Sequence, residues 1–536
     1  MSPNCERSSA IRFLSGVPMP EPHVKPERSV HRHMLGGSAW AIALRWCARL
    51  TGLISTIVLA RLLTPADYGV VAIATLIVGT IEVFTQTGQY TVIIRHPNPT
   101  REHYDSAWTV SLLLGIGLGF VVLASAPLAA IYFHEPRSSA IVAILAFRTM
   151  LIGTQNIGIV NFRRHLQFRK QFQFSVYPEL ISFVITITCG FIFRNYWALV
   201  IGIMSQYVCT VVLSYVMEPF RPRFSLSKVG EIWSFSIWTL IRSVGVYLNG
   251  QVDKVAIGGF AGAAAMGHYD VGRDVATSPT QELINPMVAT LLPVLATVQG
   301  DREKRRELYL SVLYWSAIIC TSTSVGVALV SSDMADLVLG AKWHDVKPLM
   351  PWLALAFGVL GLSNSVYSAF DTIGRPRISA QLQWTRLAGL SLCIFPVAYL
   401  TGDLRWIAIT RFLVTVAITP TLFIALARAL DVHIRDFITT MWRPMASGLA
   451  MAFVVLGINS MIHFHGTMRL ALDVLAGSAS YAATLIALWQ LAGRPNGPES
   501  DVWHWLEDQL WQLRTSTWTK TRVNTATQDS EKTPLS

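Results

Sequence analysis

The sequence predicts an all-α integral membrane protein of about fourteen transmembrane helices: two pseudo-symmetric six-helix lobes, then two C-terminal helices. Three observations lead there. Of 536 residues, 52% are hydrophobic and only 14% charged, with a mean hydropathy of +0.44, whereas a soluble domain carries about 25% charged residues. Apolar runs of roughly 20 residues, the length that crosses a hydrocarbon core, recur along the whole chain. The chain also resembles itself at a shift of 198 residues, which lays the seventh and eighth runs over the first and second.

Residues 1–35 are polar and rich in Pro and Arg, without the apolar core and small-residue cleavage site of a secretory signal. They are expected to form a disordered cytoplasmic tail, within which Met34 is an alternative start. Spans 37–61, 66–88, 106–133, 138–160, 172–193 and 196–217 then make an N-lobe over 36–218. Spans 229–251, 262–297, 307–332, 347–371, 378–401 and 404–428 make a C-lobe over 229–428, and 440–463 and 468–492 supply the last two spans, TM13 and TM14. Residues 493–536 form a second cytoplasmic tail. There Trp503, Leu506, Leu510 and Leu513 recur at helical spacing, as in either an interfacial helix or a merely disordered segment.

Charge placement gives the orientation. Arg163, Arg164, Arg169 and Lys170 sit in one even-numbered connection, Arg221, Arg223 and Lys228 in the next, and Arg302, Lys304, Arg305 and Arg306 in the next. Odd-numbered connections hold one or two basic residues, such as Arg137 and Arg194. The positive-inside rule therefore places both termini in the cytoplasm. Because the net charge of +11 is spread over these loops, it does not point to nucleic acid. The 6 cysteines have neither disulfide nor zinc spacing. The chain lacks a G-x-x-x-x-G-K-[ST] loop and an H-E-x-x-H helix, so neither a metal nor a cofactor is expected. No outward loop is long enough for a folded domain, which weighs against an enzyme that needs one.

The 198-residue shift sets "RLLTPADYG" (61–69) over "GFAGAAAMG" (259–267), pairing Trp40 with Trp238, Ala66 with Ala264 and Gly69 with Gly267. Membrane carriers built from such repeats bind substrate where the halves meet. The polar residues agree. Span 1 carries Arg45, Arg49, Gly52 and Thr56 on one stripe, and span 2 carries Thr75, Gly79, Glu82 and Gln86. Span 7 carries Ser236, Thr239, Arg242 and Ser243, and span 8 carries Asp270, Arg273, Asp274, Thr277, Gln281 and Asn285. A wet central cleft lined by spans 1, 2, 7 and 8 is the expectation.

An arginine at mid-membrane costs roughly 2.5–3.5 kcal/mol on insertion scales, so it normally faces a cavity or a partner. Arg45, Arg49, Arg242 and Arg273, with Arg148 from span 4, are the candidate cationic lining. Arg45 lies roughly 12 Å into its helix and can also snorkel, whereas Arg49 lies roughly 18 Å in. Asp270 and Asp274 stand near enough to neutralise Arg273, and Arg148 suits either the cavity or a helix–helix contact. Glu82, Glu179, Asp270 and Asp274 are candidates for carrying a coupling ion or for pairing with these arginines. Guanidinium forks match phosphate oxygens, which suggests a phosphate-bearing substrate.

Four stretches carry a family likeness. "ARLLTPADYGVVAIATLI" (60–77) resembles the R-x-L-x-P-x-D-[FY]-G signature of bacterial polysaccharide flippases, members of the multidrug/oligosaccharidyl-lipid/polysaccharide exporter superfamily. "NFRRHLQFRK" (161–170) is similar to that family's basic loop after the fourth helix. "VDKVAIGGFAGAAAMGHY" (252–269) resembles its D-x-x-x-I-G-x-x-x-G-x-x-x-x-G-x-Y stretch through Asp253, Ile257, Gly258, Gly262, Gly267 and Tyr269. "GAKWHDVKPLMPWLALA" (340–356) is similar to its G-x-x-W segment before the tenth helix. The likeness covers about residues 36–430. It implies a multi-pass protein of the bacterial inner membrane that moves an undecaprenyl-pyrophosphate-linked oligosaccharide to the outer leaflet by alternating access. Exopolysaccharide, capsule or O-antigen synthesis would follow, with a polysaccharide polymerase and a chain-length regulator as partners. The implied pyrophosphate would meet Arg45, Arg49 and Arg242. Two alternatives stay open: a cation-coupled multidrug exporter of the same superfamily, and a membrane glycosyltransferase or polysaccharide ligase.

Overall fold

The computed structural model describes residues 51–494 and 500, apart from 53, 86–89, 91–92, 95, 97, 166, 233–236, 298–301, 431 and 462–465. The tail 1–35, with Arg45 and Arg49, therefore lies outside it, as does the tail 493–536 apart from 493, 494 and 500. Helices account for nearly all of the rest, and no strand occurs among the described residues.

The described end of α1 is residues 51–62. It is followed by α2 (Pro65–Glu82), α3 (Arg101–Tyr132), α4 (Pro136–Gly153), α5 (Phe168–Phe193) and α6 (Trp197–Met217). The second half contains α7 (Ile237–Phe260), α8 (Gly262–Thr297), α9 (Arg302–Val338), α10 (Met350–Thr372), α11 (Pro376–Thr401) and α12 (Leu404–Leu430). Helices α13 (Ile434–Met461) and α14 (Thr467–Leu491) complete the chain's described part. Among the described residues, 11 helices are long and apolar enough to cross a membrane. α7 and α8 are long, but charged and amide side chains such as Asn249, Gln251, Asp253, Lys254, Asp270 and Arg273 dilute their apolar surface.

The arginine-rich connections between even and odd helices mark a basic end of the bundle. The opposite, far end holds the starts of α2 and α8. α13 and α14 pack against α9, where Tyr481 and Thr321 share a 2.9 Å hydrogen bond between hydroxyls and Arg469 lies 3.3 Å from Asp333.

The first signature motif is built to seal the far end. Thr64 caps α2: its hydroxyl accepts from the Asp67 amide at 3.3 Å, and the Asp67 carboxylate accepts from the Thr64 amide at 3.0 Å. Pro65 at the first helical position gives up no hydrogen bond. α2 then crosses α8 backbone to backbone. A Cβ on Gly69 would lie 1.7 Å from the Ala263 carbonyl oxygen, and one on Gly267 would lie 1.9 Å from that of Pro65. The 198-residue shift that carries Pro65 onto Ala263 also carries Gly69 onto Gly267, so these are one contact seen from its two ends.

Trp343 closes the seam beside this crossing. Gly340, at φ +88°, turns the chain after α9, and the short 3₁₀ segment Ala341–Val346 brings the fully buried Trp343 ring against the first half. Its indole N–H donates to the Ala60 carbonyl at 2.9 Å, and Lys342 donates to the Arg61 carbonyl at 3.0 Å. Both are carbonyls that the end of α1 leaves without helical partners. Arg61 returns a bond to the Leu337 carbonyl at 3.1 Å, and Tyr68 meets Trp343 edge to face at 5.3 Å.

Candidate functional site

Below the seal lies a cavity of about 320 Å³ between α2, α4 and α7, lined by Gly79, Glu82, Arg148, Tyr247, Gln251 and Lys254 among others. The halves approach closely because position 79 has no side chain. The Tyr247 hydroxyl would stand 2.2 Å from a Cβ there, and it donates to the Leu76 carbonyl at 3.2 Å.

Each half brings a cation to the cavity already paired with a carboxylate. In the first half, Arg148 Nη2 donates to Glu82 Oε2 at 2.7 Å, and Thr149 donates to Glu82 Oε1 at 2.9 Å. The guanidinium also lies 4.4 Å from the Tyr207 ring centroid, a cation–π contact. Its Nε is buried without a hydrogen-bond partner. In the second half, Lys254 of α7 pairs with Asp270 of α8. Gln251 Oε1, buried in the same wall, also has no partner. The cavity thus offers two ion-paired cations, and two unsatisfied polar atoms, Arg148 Nε and Gln251 Oε1, lie buried in its wall. An anion carrying several oxygens can bridge the halves by sharing the donors of Arg148 and Lys254 with their carboxylates.

The other predicted residues go elsewhere. Arg242 lies toward the basic end, 3.4 Å from Asp371 of α10. Arg273 is turned into the second half, where it donates to the Gly250 carbonyl and stands 4.7 Å from the Phe357 ring. It is not Asp270 that binds it, because Asp270 takes Lys254. Asp274 is exposed and accepts from the Ser278 hydroxyl at 3.4 Å. Glu179 of α5 accepts from the Thr51 hydroxyl of α1 at 3.4 Å. Of the named charges, Arg148 and Glu82 line the cavity and Asp270 adjoins it through Lys254. Among the described residues the polar wall comes from α2, α4 and α7, with Asp270 of α8 behind Lys254, and Arg45 and Arg49 of span 1 lie outside the described residues.

Sequence reading passed over a second set of charges. Arg411 of α12 and Asp253 of α7 form an ion pair with side chains 1% and 0% exposed, and Tyr269 donates to the same carboxylate. Arg411 also donates to the Asn249 carbonyl at 3.1 Å and faces Phe357 at 4.7 Å, so that ring sits against both Arg273 and Arg411. Buried Arg386 of α11 reaches Thr415 at 3.4 Å. Polar stripes at helical spacing were the available signal: Ser379, Gln383 and Arg386 on α11, and Arg411, Thr415 and Thr419 on α12.

The chain matches the family described as "Polysaccharide biosynthesis protein" over residues 58–348. It is 23% identical over 431 residues to the lipopolysaccharide biosynthesis protein WzxC of Escherichia coli (strain K12), a match covering 78% of this chain and 85% of that protein. It is 23% identical over 435 residues to the succinoglycan biosynthesis transport protein ExoT of Rhizobium meliloti (strain 1021), covering 79% and 85%. Among solved structures, the lipid II flippase MurJ in an inward closed conformation shares the fold, with a TM-score of 0.68 at 12% identity over 86% of this chain and 100% of that one.

Proposed function

The chain belongs to the polysaccharide biosynthesis protein family, and from that premise we propose that it flips a lipid-linked oligosaccharide across the membrane that it spans. The observation that carries the reading is the sealed cavity between the halves, into which Arg148 and Lys254 project from opposite sides. A pyrophosphate-linked glycan is anionic and hydroxyl-rich, and moving such a head through hydrocarbon unassisted costs far more than thermal energy. A polar chamber closed at one end, whose two ion-paired cations can share their donors with an anion, supplies the missing solvation. The chain acts as a carrier, with the bilayer holding the apolar part of the substrate.

In this reading the seal at Gly69, Gly267 and Trp343 faces outward, the basic end and both termini face the cytoplasm of a bacterial inner membrane, and substrate arrives from the inner leaflet. Rocking of residues 36–218 against 229–428 would break the seal and open the cavity outward. Arg49, outside the described residues, is kept as a proposed lining residue on repeat grounds, because the 198-residue shift lays it on Tyr247, a residue of the cavity wall. Arg45, Arg242 and Arg273 then act as the approach and the interior support of the site. A polymerase and a chain-length regulator are the partners that would consume the flipped product.

Reconstitution tests this directly. Proteoliposomes loaded with a fluorescent undecaprenyl-pyrophosphate oligosaccharide should show protein-dependent exposure of the glycan to an impermeant quencher. Arg148→Ala and Arg49→Ala should each slow that exposure at least several-fold at equal protein level. Undiminished flipping in both variants would remove the cationic cavity from the mechanism.

A further inference from the structure

We propose that an apolar groove on the lipid-facing side of α2, α3 and α7 holds the polyprenyl chain of the substrate while its charged head occupies the central cavity. The inference rests on the flippase reading and deepens it by assigning the second half of an amphiphilic ligand to a site of its own. The groove has a volume of about 350 Å³ and is walled by Leu76, Ile81, Leu128, Tyr132 and Val255 among others.

Continuity with the cavity is the first observation. Leu76 lines both spaces. Thr80 and Ile81 of the groove alternate along α2 with Gly79 and Glu82 of the cavity, and Val255 of the groove follows Lys254 of the cavity on α7. A ligand with an apolar chain joined to an anionic head fits that junction. The chain lies along Leu76 and Val255, and the head turns inward to Arg148 and Lys254.

The chemistry of the wall is the second. Its three hydroxyls are all spent within the protein: Thr80 donates to the Leu76 carbonyl at 2.7 Å, Ser125 to the Val122 carbonyl at 2.7 Å and Tyr132 to the Val255 carbonyl at 3.4 Å. What remains for a ligand is hydrocarbon. Leu128 and Tyr132 are 65% and 43% exposed, so the groove is open to a chain arriving from the bilayer.

Depth chooses the occupant. Leu76 follows Pro65 by eleven residues, about 16 Å from the far end of α2 at 1.5 Å per residue. An ordinary phospholipid keeps its headgroup at the interface and cannot place a phosphate beside Arg148 and Lys254 at that depth. A lipid whose head is drawn to mid-membrane can. Toward the far end the groove meets the packing of Phe133 and Tyr132 on α7, where a Cβ on Gly258 or Gly259 would come within 2.5 or 2.9 Å of those rings. The chain's path therefore runs along an inter-half contact that must part when the seal opens.

The test uses the full chain in phosphatidylcholine nanodiscs and an undecaprenyl pyrophosphate bearing a diazirine in its chain. Irradiation should label peptides containing 76–81 and 125–133, and excess unlabelled undecaprenyl pyrophosphate should suppress this while phosphatidylglycerol does not. Ser125→Trp, which fills the groove, should weaken undecaprenyl pyrophosphate about tenfold (about 1.4 kcal/mol) and leave inorganic pyrophosphate, which has no chain to place in the groove, unchanged. Labelling elsewhere on the bundle, or phosphatidylglycerol competing equally, would overturn the groove and leave the flippase reading standing. If the wild-type protein bound neither pyrophosphate, the flippase reading would fail and the groove with it. The wild-type labelling pattern decides the matter even if the Trp variant does not fold.

Discussion

Gly267→Ala should drive the protein out of the sealed state. The added Cβ would lie 1.9 Å from the Pro65 carbonyl oxygen and 2.9 Å from the Gly69 amide nitrogen, whereas ordinary contact begins at 3.4 Å. The carbonyl must therefore retreat by 1.5 Å, and because it belongs to a helix backbone it cannot swing aside as a long side chain would. Forcing one extra carbon into a closed packing costs about 1–3 kcal/mol. That penalty falls only on the conformation in which α2 and α8 touch, so the ratio of sealed to open molecules should drop about 5- to 150-fold, at 1.4 kcal/mol per factor of ten. Spin labels at Phe193 and Thr401, exposed far-end positions in the two halves, would read this in a background lacking the 6 native cysteines. A new population at longer distance is expected in Gly267→Ala. Gly69→Ala should do the same, since its Cβ would lie 1.7 Å from the Ala263 carbonyl oxygen. An unchanged distance distribution in both variants would show that the glycine crossing does not hold the far end shut.

Three further perturbations separate the roles of the remaining charges and rings. Trp343→Phe keeps an aromatic ring against Tyr68 but strands the Ala60 carbonyl, a loss of about 1–3 kcal/mol, so it should open the far end in the same distance measurement, less than Gly267→Ala does if the ring packing matters more. Glu82→Gln removes the negative partner of Arg148 and should tighten inorganic pyrophosphate about two- to fivefold, the scale of a partly exposed pair, while Arg148→Ala weakens it. Calorimetry showing weaker binding in both would make the pair a strut between α2 and α4. Asp253→Asn leaves Arg411 buried without its carboxylate, at about 3–5 kcal/mol, and should lower the melting temperature in detergent sharply. The double change Asp253→Asn with Arg411→Gln should recover much of that loss, and a double variant no better than the single one would refute the pairing argument.

Most of the bundle was legible because hydrophobic run length and loop charge are local quantities, and each long helix stands close to its apolar run. The site was legible only in part. Glu82 and Thr75 were found because a stripe at helical spacing betrays a face, and Arg148 because a lone arginine in a span needs a partner. Lys254 was hidden inside a motif already read as a family marker. Arg273 was placed on the cleft because its stripe on α8 is polar, yet a helix that packs on two sides can turn a polar face inward, and here the Gly250 carbonyl and the Phe357 ring receive the guanidinium. Pairing across helices, which decided where Arg242 and Asp270 went, depends on distances between residues up to 129 positions apart, and no local pattern carries that.

The motifs that mark the family prove to be parts of the seal more than of the chamber. Pro65, Asp67, Tyr68 and Gly69 set the start of α2 and its crossing, Gly267 supplies the other side, and Gly340 and Trp343 close the seam. A contact between repeat-related residues must lie on the internal two-fold axis, so Gly69 and Gly267 are there by symmetry. The cavity charges obey no such rule. The shift lays Glu82 on Thr280 and Lys254 on Thr56, so the two halves repeat the seal and differ in the chamber. A seal must fit itself in every member of such a family, whereas a chamber must fit whatever glycan it carries. Motif strength and substrate contact are therefore expected to fall on different residues, with specificity residing in Arg148, Gln251 and Lys254 and their neighbours, none of which stands at a signature position.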